Sequence, residues 1–484
     1  MGIVVKQTSK NVIYTYLGFA IGAVNTLFLF TNFLTDDYYG LIGYLISSAN
    51  IMMPLLAFGV HNSLVKFYSS YKDKKQQDSF VTCMLFLPLA LIIPVGFIGT
   101  IAYEQIVNFL SKENKIVIDY VWTIYILAGS MAYFEVFYAW CKVNMKSVYG
   151  NFLKEVFNRL ITMILLFLVF FKVITVHEFI LSLVWMYVGR TILMAISAYV
   201  IKKPSLRFSL PSNFINVFKY TSLIILAGSI AVVLLDVDKV MIGQFKEIEN
   251  VAFYNVAVYI AVVIAVPSRA MHQIMYPLTA KLLNENNKKE LSVLYKKSSI
   301  TLYITGGLIF LLILININEL YKVLPDEYSG GLTVVLLISI AKLSENLLGN
   351  NNAIIFNSVY YRMVLFFGVL LAVLTVILNL LFIPLWGITG AAVATLSSFL
   401  IYNISKIYFV WKKFKIHPFT KSTYYTTLII LLLFISFYFW NFGFHPFINI
   451  FLKSIMLSAI FIFIIVKFNF SEDISNTIKK FIKI

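Results

Sequence analysis

The stretch YRMVLFFGVLLAVLTVILNLLFIPLWGITGAAVATLSSFLIYNISKIYFVW, residues 361–411, decides the fold. Its first 23 residues, 361–383, carry one formal charge, Arg362, and its last 24, 388–411, carry one more, Lys406. Each run matches the roughly 20 residues that a helix needs to cross a bilayer. Pro384-Leu385-Trp386-Gly387 between them has room for little more than a reversal. In hydrocarbon every backbone polar group must be satisfied internally, so two such runs read as a pair of transmembrane helices.

Working outward, the same pattern fills the chain. Further apolar runs fall at 11–34, 41–66, 80–103, 117–141, 149–172, 178–201, 215–238, 251–276, 297–317, 331–356, 424–442 and 447–467, which makes fourteen in all; they are numbered helix one to helix fourteen in chain order. The composition agrees, because 60% of 484 residues are hydrophobic and only 13% are charged, against about 25% charged in soluble domains. Lys6 and Lys10 precede the first run, which has no small-residue cleavage pattern behind it and is expected to stay as the first span. The breaks are too short to hold an inserted catalytic domain. Cys83 and Cys141 both lie in apolar segments, so neither a disulfide framework nor a metal site is expected, and no cofactor is implied.

The net charge of +17 is explained by topology. Assigning alternate breaks to one side collects 28 basic residues, from Lys6 and the Lys72 to Lys75 loop through Lys142, Lys146, Lys154 and Lys406 to Lys483, against 5 on the other side. By the positive-inside rule both termini are cytoplasmic, and no nucleic-acid partner is needed to account for the charge.

The chain also repeats itself. Phe33 with Asp36 to Leu41 corresponds, at an offset of about 212, to Phe245 with Ile248 to Phe253; Tyr199 to Lys203 faces Phe409 to Lys413 at about 210. Two six-helix halves follow, 1–206 and 207–418, then two additional helices in 419–467 and a cytoplasmic tail, 468–484. Six is even, so the halves enter from the same side and are parallel repeats. The expected fold is an all-α integral membrane protein of about 14 transmembrane helices, in two parallel-related six-helix lobes plus two C-terminal helices.

Several motifs then carry a resemblance. Asn25-Thr26-Leu27, Asp37-Tyr38-Tyr39-Gly40, Gly59 to Lys66, Asp236-Val237-Asp238-Lys239, Ala252-Phe253-Tyr254-Asn255, Leu324 to Gly331, and Asn379 with Ile383 to Thr395 stand in an order that resembles the O-antigen flippases (Wzx type), the polysaccharide transporter branch of the multidrug/oligosaccharidyl-lipid/polysaccharide exporter superfamily. The resemblance implies a two-lobed carrier, not an enzyme. It implies a polyprenyl-diphosphate-linked glycan as substrate, the bacterial cytoplasmic membrane as location, and surface polysaccharide assembly proteins as neighbours. Lipid II flippases of the superfamily carry charged residues where this chain has Asn25, Thr26 and Met53, a departure that favours the polysaccharide branch.

A charge near the bilayer centre costs about 2.5 to 3.5 kcal/mol on insertion scales, so charges deep in the runs need partners, water or a task. Arg190, Arg269, Arg159 and Lys342 are the candidate diphosphate-binding residues, since guanidinium suits bidentate phosphate contacts. Arg159 has Glu155 at i−4 and Lys342 has Glu345 at i+3, so local pairs explain those two as well as a ligand does. Arg190 and Arg269 have no acid at helical spacing. Glu135, whose nearest basic neighbour in sequence is Lys142, is a candidate coupling group, with Asp236, Asp238, Lys239 and Glu345 as coupling or gating candidates. His61 and His272, 211 residues apart, read as interfacial. The rival readings are a drug or cation exporter of the same superfamily, which would want carboxylates in its lumen, and a membrane glycosyltransferase or polymerase using Asp36-Asp37, for which that break of about six residues is too short.

Overall fold

A computed structural model describes the backbone of residues 2–482, and their side chains apart from those of residues 2–6, 8, 9, 223, 224, 226–235, 270, 273, 477 and 479–482. Lys6, Lys479, Lys480 and Lys483, counted toward the cytoplasmic side, therefore lie outside the described side chains, as do the last residues of the expected tail. Among the described residues the chain is helical with no strand. Eleven stretches are long and apolar enough to cross a membrane. One of them, Arg362–Phe414, is two helices, because Gly387 breaks it with φ 57° and ψ −133°, a conformation that suits glycine. A Cβ on Gly390 would lie 2.1 Å from the Phe382 carbonyl oxygen, so a second glycine lets the two arms close on each other. Helix five, Val148–Phe152 to Asn158–Phe170, falls outside the eleven, and it carries Lys154, Glu155 and Arg159. Helix seven, Phe214–Phe245, also falls outside them; much of its middle lacks described side chains. Counting these, the described residues form fourteen membrane-length helical segments.

Several helices are interrupted where the sequence reads as continuous. Helix one turns π-helical at Asn25–Leu29 and helix five at Leu153–Phe157. The two turns belong to neighbouring helices: Asn25 Nδ2 donates to the Arg159 carbonyl at 2.7 Å, and a Cβ on Gly18 would lie 2.3 Å from the Glu155 carbonyl oxygen. Helix two breaks after Leu56 and resumes at Val60 through Gly59, at φ 63°. Helix ten runs Leu332–Asn346 and resumes as Asn351–Asn357; the break is held by Asn350, whose amide side chain donates to Thr279 at 2.6 Å and whose N–H donates to Ser298 at 3.1 Å.

The chain forms two compact units, Met1–Asn255 and Val256–Ile484. In the first, helix four, Val121–Val143, packs against helices two and six, and helix two also packs against helix seven. The core there gathers Val60, Leu64, Phe80, Met84, Phe134, Trp140, Met194 and Val217. Asn114 clasps the turn after helix seven, donating to the carbonyls of Gly243 (2.7 Å) and Lys246 (2.9 Å) and accepting from the Ile248 N–H (2.8 Å). In the second unit helix nine, Lys288–Tyr321, packs against helix ten and against helices thirteen and fourteen, Lys421–Tyr438 and Pro446–Lys467. Polar side chains join these last contacts: Tyr303 to Thr427 (2.9 Å), Asn316 to Ser454 (2.9 Å), Asn441 to Glu319 (3.3 Å), and Lys453 to the Ile315 carbonyl (3.3 Å). The tail is an amphipathic helix, Glu472–Ile482, docked on helix nine by Lys297–Glu472 at 2.7 Å.

Candidate functional site

Each unit holds a cluster built around one intramembrane carboxylate. In the first, Glu135 on helix four meets Lys154 of helix five at 2.5 Å, with Lys142 and His61 as further electrostatic neighbours. Its direct partner is therefore not Lys142, the nearest basic residue in sequence. Its partner is 19 residues away on another helix and is delivered by packing, which spacing along one helix does not reveal. Lys142 lies 3.8 Å over the Tyr138 ring. Arg190 sits on helix six, Val176–Ile201, only 5% exposed. Its guanidinium stacks 4.1 Å from the Phe134 ring centre and 4.7 Å from that of Tyr187, and its Nε has no hydrogen-bond partner among the described residues. Aromatic faces offset part of the cost of burying that cation and leave hydrogen-bonding capacity free.

In the second unit, Glu345 on helix ten accepts from Lys342 at 3.2 Å and has Lys406 and His272 as further electrostatic neighbours. Lys342 also lies 4.3 Å over the Phe399 ring. Lys406, counted with the basic residues of the cytoplasmic side, is 2% exposed on helix twelve, bonded to the Asn352 side chain and 3.3 Å from the Tyr402 hydroxyl. A polar stripe, Tyr402-Asn403 followed by Lys406 one helical turn on, was the available signal for it. The two clusters correspond in the repeat: Glu345 follows Glu135 by 210 residues and His272 follows His61 by 211. Each histidine has a buried Nδ1 without a partner among the described residues.

The other candidates divide between pairs and open positions. Arg159 bonds Glu155 through its carboxylate at 2.9 Å and its carbonyl at 2.8 Å, and Lys239 reaches Asp236 at 3.4 Å. Asp236 also accepts from Ser47 (2.8 Å) and Asn50 (3.1 Å) of helix two, while Asp238 accepts from Tyr254 at 2.5 Å. Arg269 is exposed on helix eight, Glu249–Val262 continuing to Asn284, two residues past Pro267. Among the described residues no three His, Cys, Asp or Glu side chains gather in a way that would hold a metal ion.

In structure the chain is similar to "Lipid II flippase MurJ, inward closed conformation", with TM-score 0.74 at 15% identity over 94% of this chain and 98% of that one. It is also similar to an inward-facing multidrug resistance MATE family transporter of the MOP superfamily, with TM-score 0.58 at 12% identity over 88% and 94%. A third likeness, to the MATE multidrug transporter DinF-BH, has TM-score 0.55 at 12% identity over 85% and 95%. No curated protein sequence matches. Fold and intramembrane charges together define an all-helical multi-span membrane protein with the fold of MOP-superfamily transporters. The family model described as "Polysaccharide biosynthesis protein" matches residues 4–283, and the chain belongs to that family.

Proposed function

We propose that this protein is a flippase that moves a polyprenyl-diphosphate-linked oligosaccharide from the cytoplasmic to the outer leaflet of a bacterial cytoplasmic membrane, for assembly of O-antigen, capsule or a related surface polysaccharide. Its halves, 1–206 and 207–418, alternately open a cavity to each side, with both termini cytoplasmic. The observation that carries the reading is the surplus of cations around the intramembrane carboxylates: Lys154, Lys142 and Arg190 near Glu135, and Lys342 and Lys406 near Glu345. A diphosphate crossing a low-dielectric core needs such a surplus, whereas a cation exporter needs the reverse. Arg190 and Arg269, free of carboxylate partners among the described residues, take phosphate oxygens, and Arg159 and Lys342 join by exchanging their carboxylates for the substrate. Glu135 and Glu345 couple the cycle by holding lysines when substrate is absent, with Asp236, Asp238 and Lys239 gating at helix seven.

Arg190→Ala and Arg190→Lys, compared in a reconstituted flipping assay with folding verified, test this. Loss of a charge-assisted contact is worth about 1.5 to 3 kcal/mol, so Ala is expected to weaken substrate affinity roughly tenfold to a hundredfold. Lys is expected to retain part of it. Normal flipping by Arg190→Ala with transport abolished by Glu135→Gln would overturn the anionic-headgroup assignment in favour of the exporter reading.

A further inference from the structure

A second basic site lies away from both carboxylate clusters, where helices one, five and six end on the side that carries the basic loops. A cavity of about 600 Å³ is lined there by Lys10 and Tyr14 of helix one, Lys146, Tyr149 and Phe152 at the start of helix five, and Ile201 at the end of helix six. Its walls are built by a polar zip. Gln7 donates to the Met145 carbonyl at 2.7 Å and accepts from the Ser147 N–H at 3.3 Å; Asn11 donates to Ser147 at 3.1 Å, and Asn151 donates to the Asn11 carbonyl at 3.0 Å. The turn that presents Lys146 is fixed by Met145 at φ 57° and by bonds from the N–H groups of Met145 and Lys146 to the carbonyls of Lys142 and Cys141, each 2.9 Å. The zip uses the amides of Gln7, Asn11 and Asn151, while Lys10 and Lys146, both exposed, line the space without taking part in it.

Two features set this cavity apart from an ordinary basic rim. Among the described residues neither Lys10 nor Lys146 has a carboxylate partner, whereas Lys154 of the same helix five and Lys142 just ahead of it are both drawn to Glu135. The rings beside them form one aromatic wall: Phe152 meets Tyr14 edge to face with centroids 5.4 Å apart and stacks on Tyr149 at 6.4 Å. Two ammoniums select phosphate. Aromatic faces select the C–H face of a sugar ring and are at home at the membrane interface.

We propose that this cavity is the docking site at which a glycosylated polyprenyl diphosphate is first held, with Lys10 and Lys146 on the diphosphate and Tyr14, Tyr149 and Phe152 against the first sugar. The site rests on the flippase reading, of which it names the substrate's first contact. The probe is a polyprenyl-diphosphate N-acetylglucosamine carrying a photoreactive group on the sugar, added to the full chain in nanodiscs and mapped by peptide mass spectrometry. Capture is expected on the segments around Tyr14 and around Tyr149. Lys10→Gln and Lys146→Gln, both at exposed positions, should each reduce it about tenfold. Tyr149→Ala should reduce capture severalfold while leaving binding of the unglycosylated polyprenyl diphosphate unchanged.

Capture confined to other segments, or equal displacement by phosphatidylglycerol at matched concentration, would overturn the site and leave the flippase reading intact. Absence of capture anywhere on a well-folded protein would overturn the substrate reading itself.

Discussion

At the scale of single residues, the charges in this protein sort by how they are partnered. Lys406 is the sharpest case, an ammonium almost wholly removed from solvent. Removing its ammonium leaves the Asn352 side-chain oxygen without its donor, at a cost of about 1 to 3 kcal/mol. Lys406→Met is therefore expected to lower the melting temperature modestly and, in protein verified as folded, to reduce flipping at least tenfold; unchanged flipping would make Lys406 a packing residue. The sequence shows the partnerships formed within one helix, since Glu155 with Arg159 and Lys342 with Glu345 lie at helical spacing and do pair. It does not show Glu135 with Lys154, because nothing local encodes which face of helix five meets helix four. The burial of Lys406 is hidden for a related reason: hydropathy locates the ends of a span only to within a turn, and that turn decides whether a lysine is wet or buried.

At the scale of elements, the apolar runs were legible because lipid leaves few alternatives to a helix, and the Pro384 to Gly387 break was legible because those residue types interrupt one. The interruptions inside helices one, five and ten were not. A π-turn carries no residue type that marks it, and here Gly18 lets the π-turn of helix five approach within contact of helix one. Gly18→Val is expected to push those helices apart and to destabilise the first unit by about 1 to 3 kcal/mol, seen as a lower melting temperature and weaker protection of helix one from hydrogen exchange. A stability equal to that of the unchanged protein would show that helix five gives way without loss. Gly387→Ala should also destabilise, by about 1 kcal/mol or more, through backbone strain rather than packing.

At the scale of the whole molecule, the proposed orientation follows from 28 basic residues against 5. Cysteine at position 74 should resist an impermeant reagent in intact cells while cysteine at position 326 reacts, and the opposite pattern would invert the topology. The proposed rocking of 1–206 against 207–418 requires helices two and seven to part, yet Ser47 and Asn50 bond Asp236 across them. Joining Ser47→Cys to Asp236→Cys by a disulfide should arrest flipping, with activity returning on reduction. Full activity in the fully cross-linked protein would rule out that motion.

Helices thirteen and fourteen bear on how the chain is made. The groups they cover on helix nine include Asn316 and Glu319, both buried, and both reach the membrane more than a hundred residues before their partners Ser454 and Asn441 are synthesised. Until then helix nine presents polar side chains that lipid solvates poorly, so the second unit stays unfinished and dependent on the insertion machinery to the end of translation. Chains stalled before residue 421 should be extracted and degraded by membrane quality control faster than chains that reach residue 467. The same lifetime for both would mean that helix nine shelters those groups without its late partners.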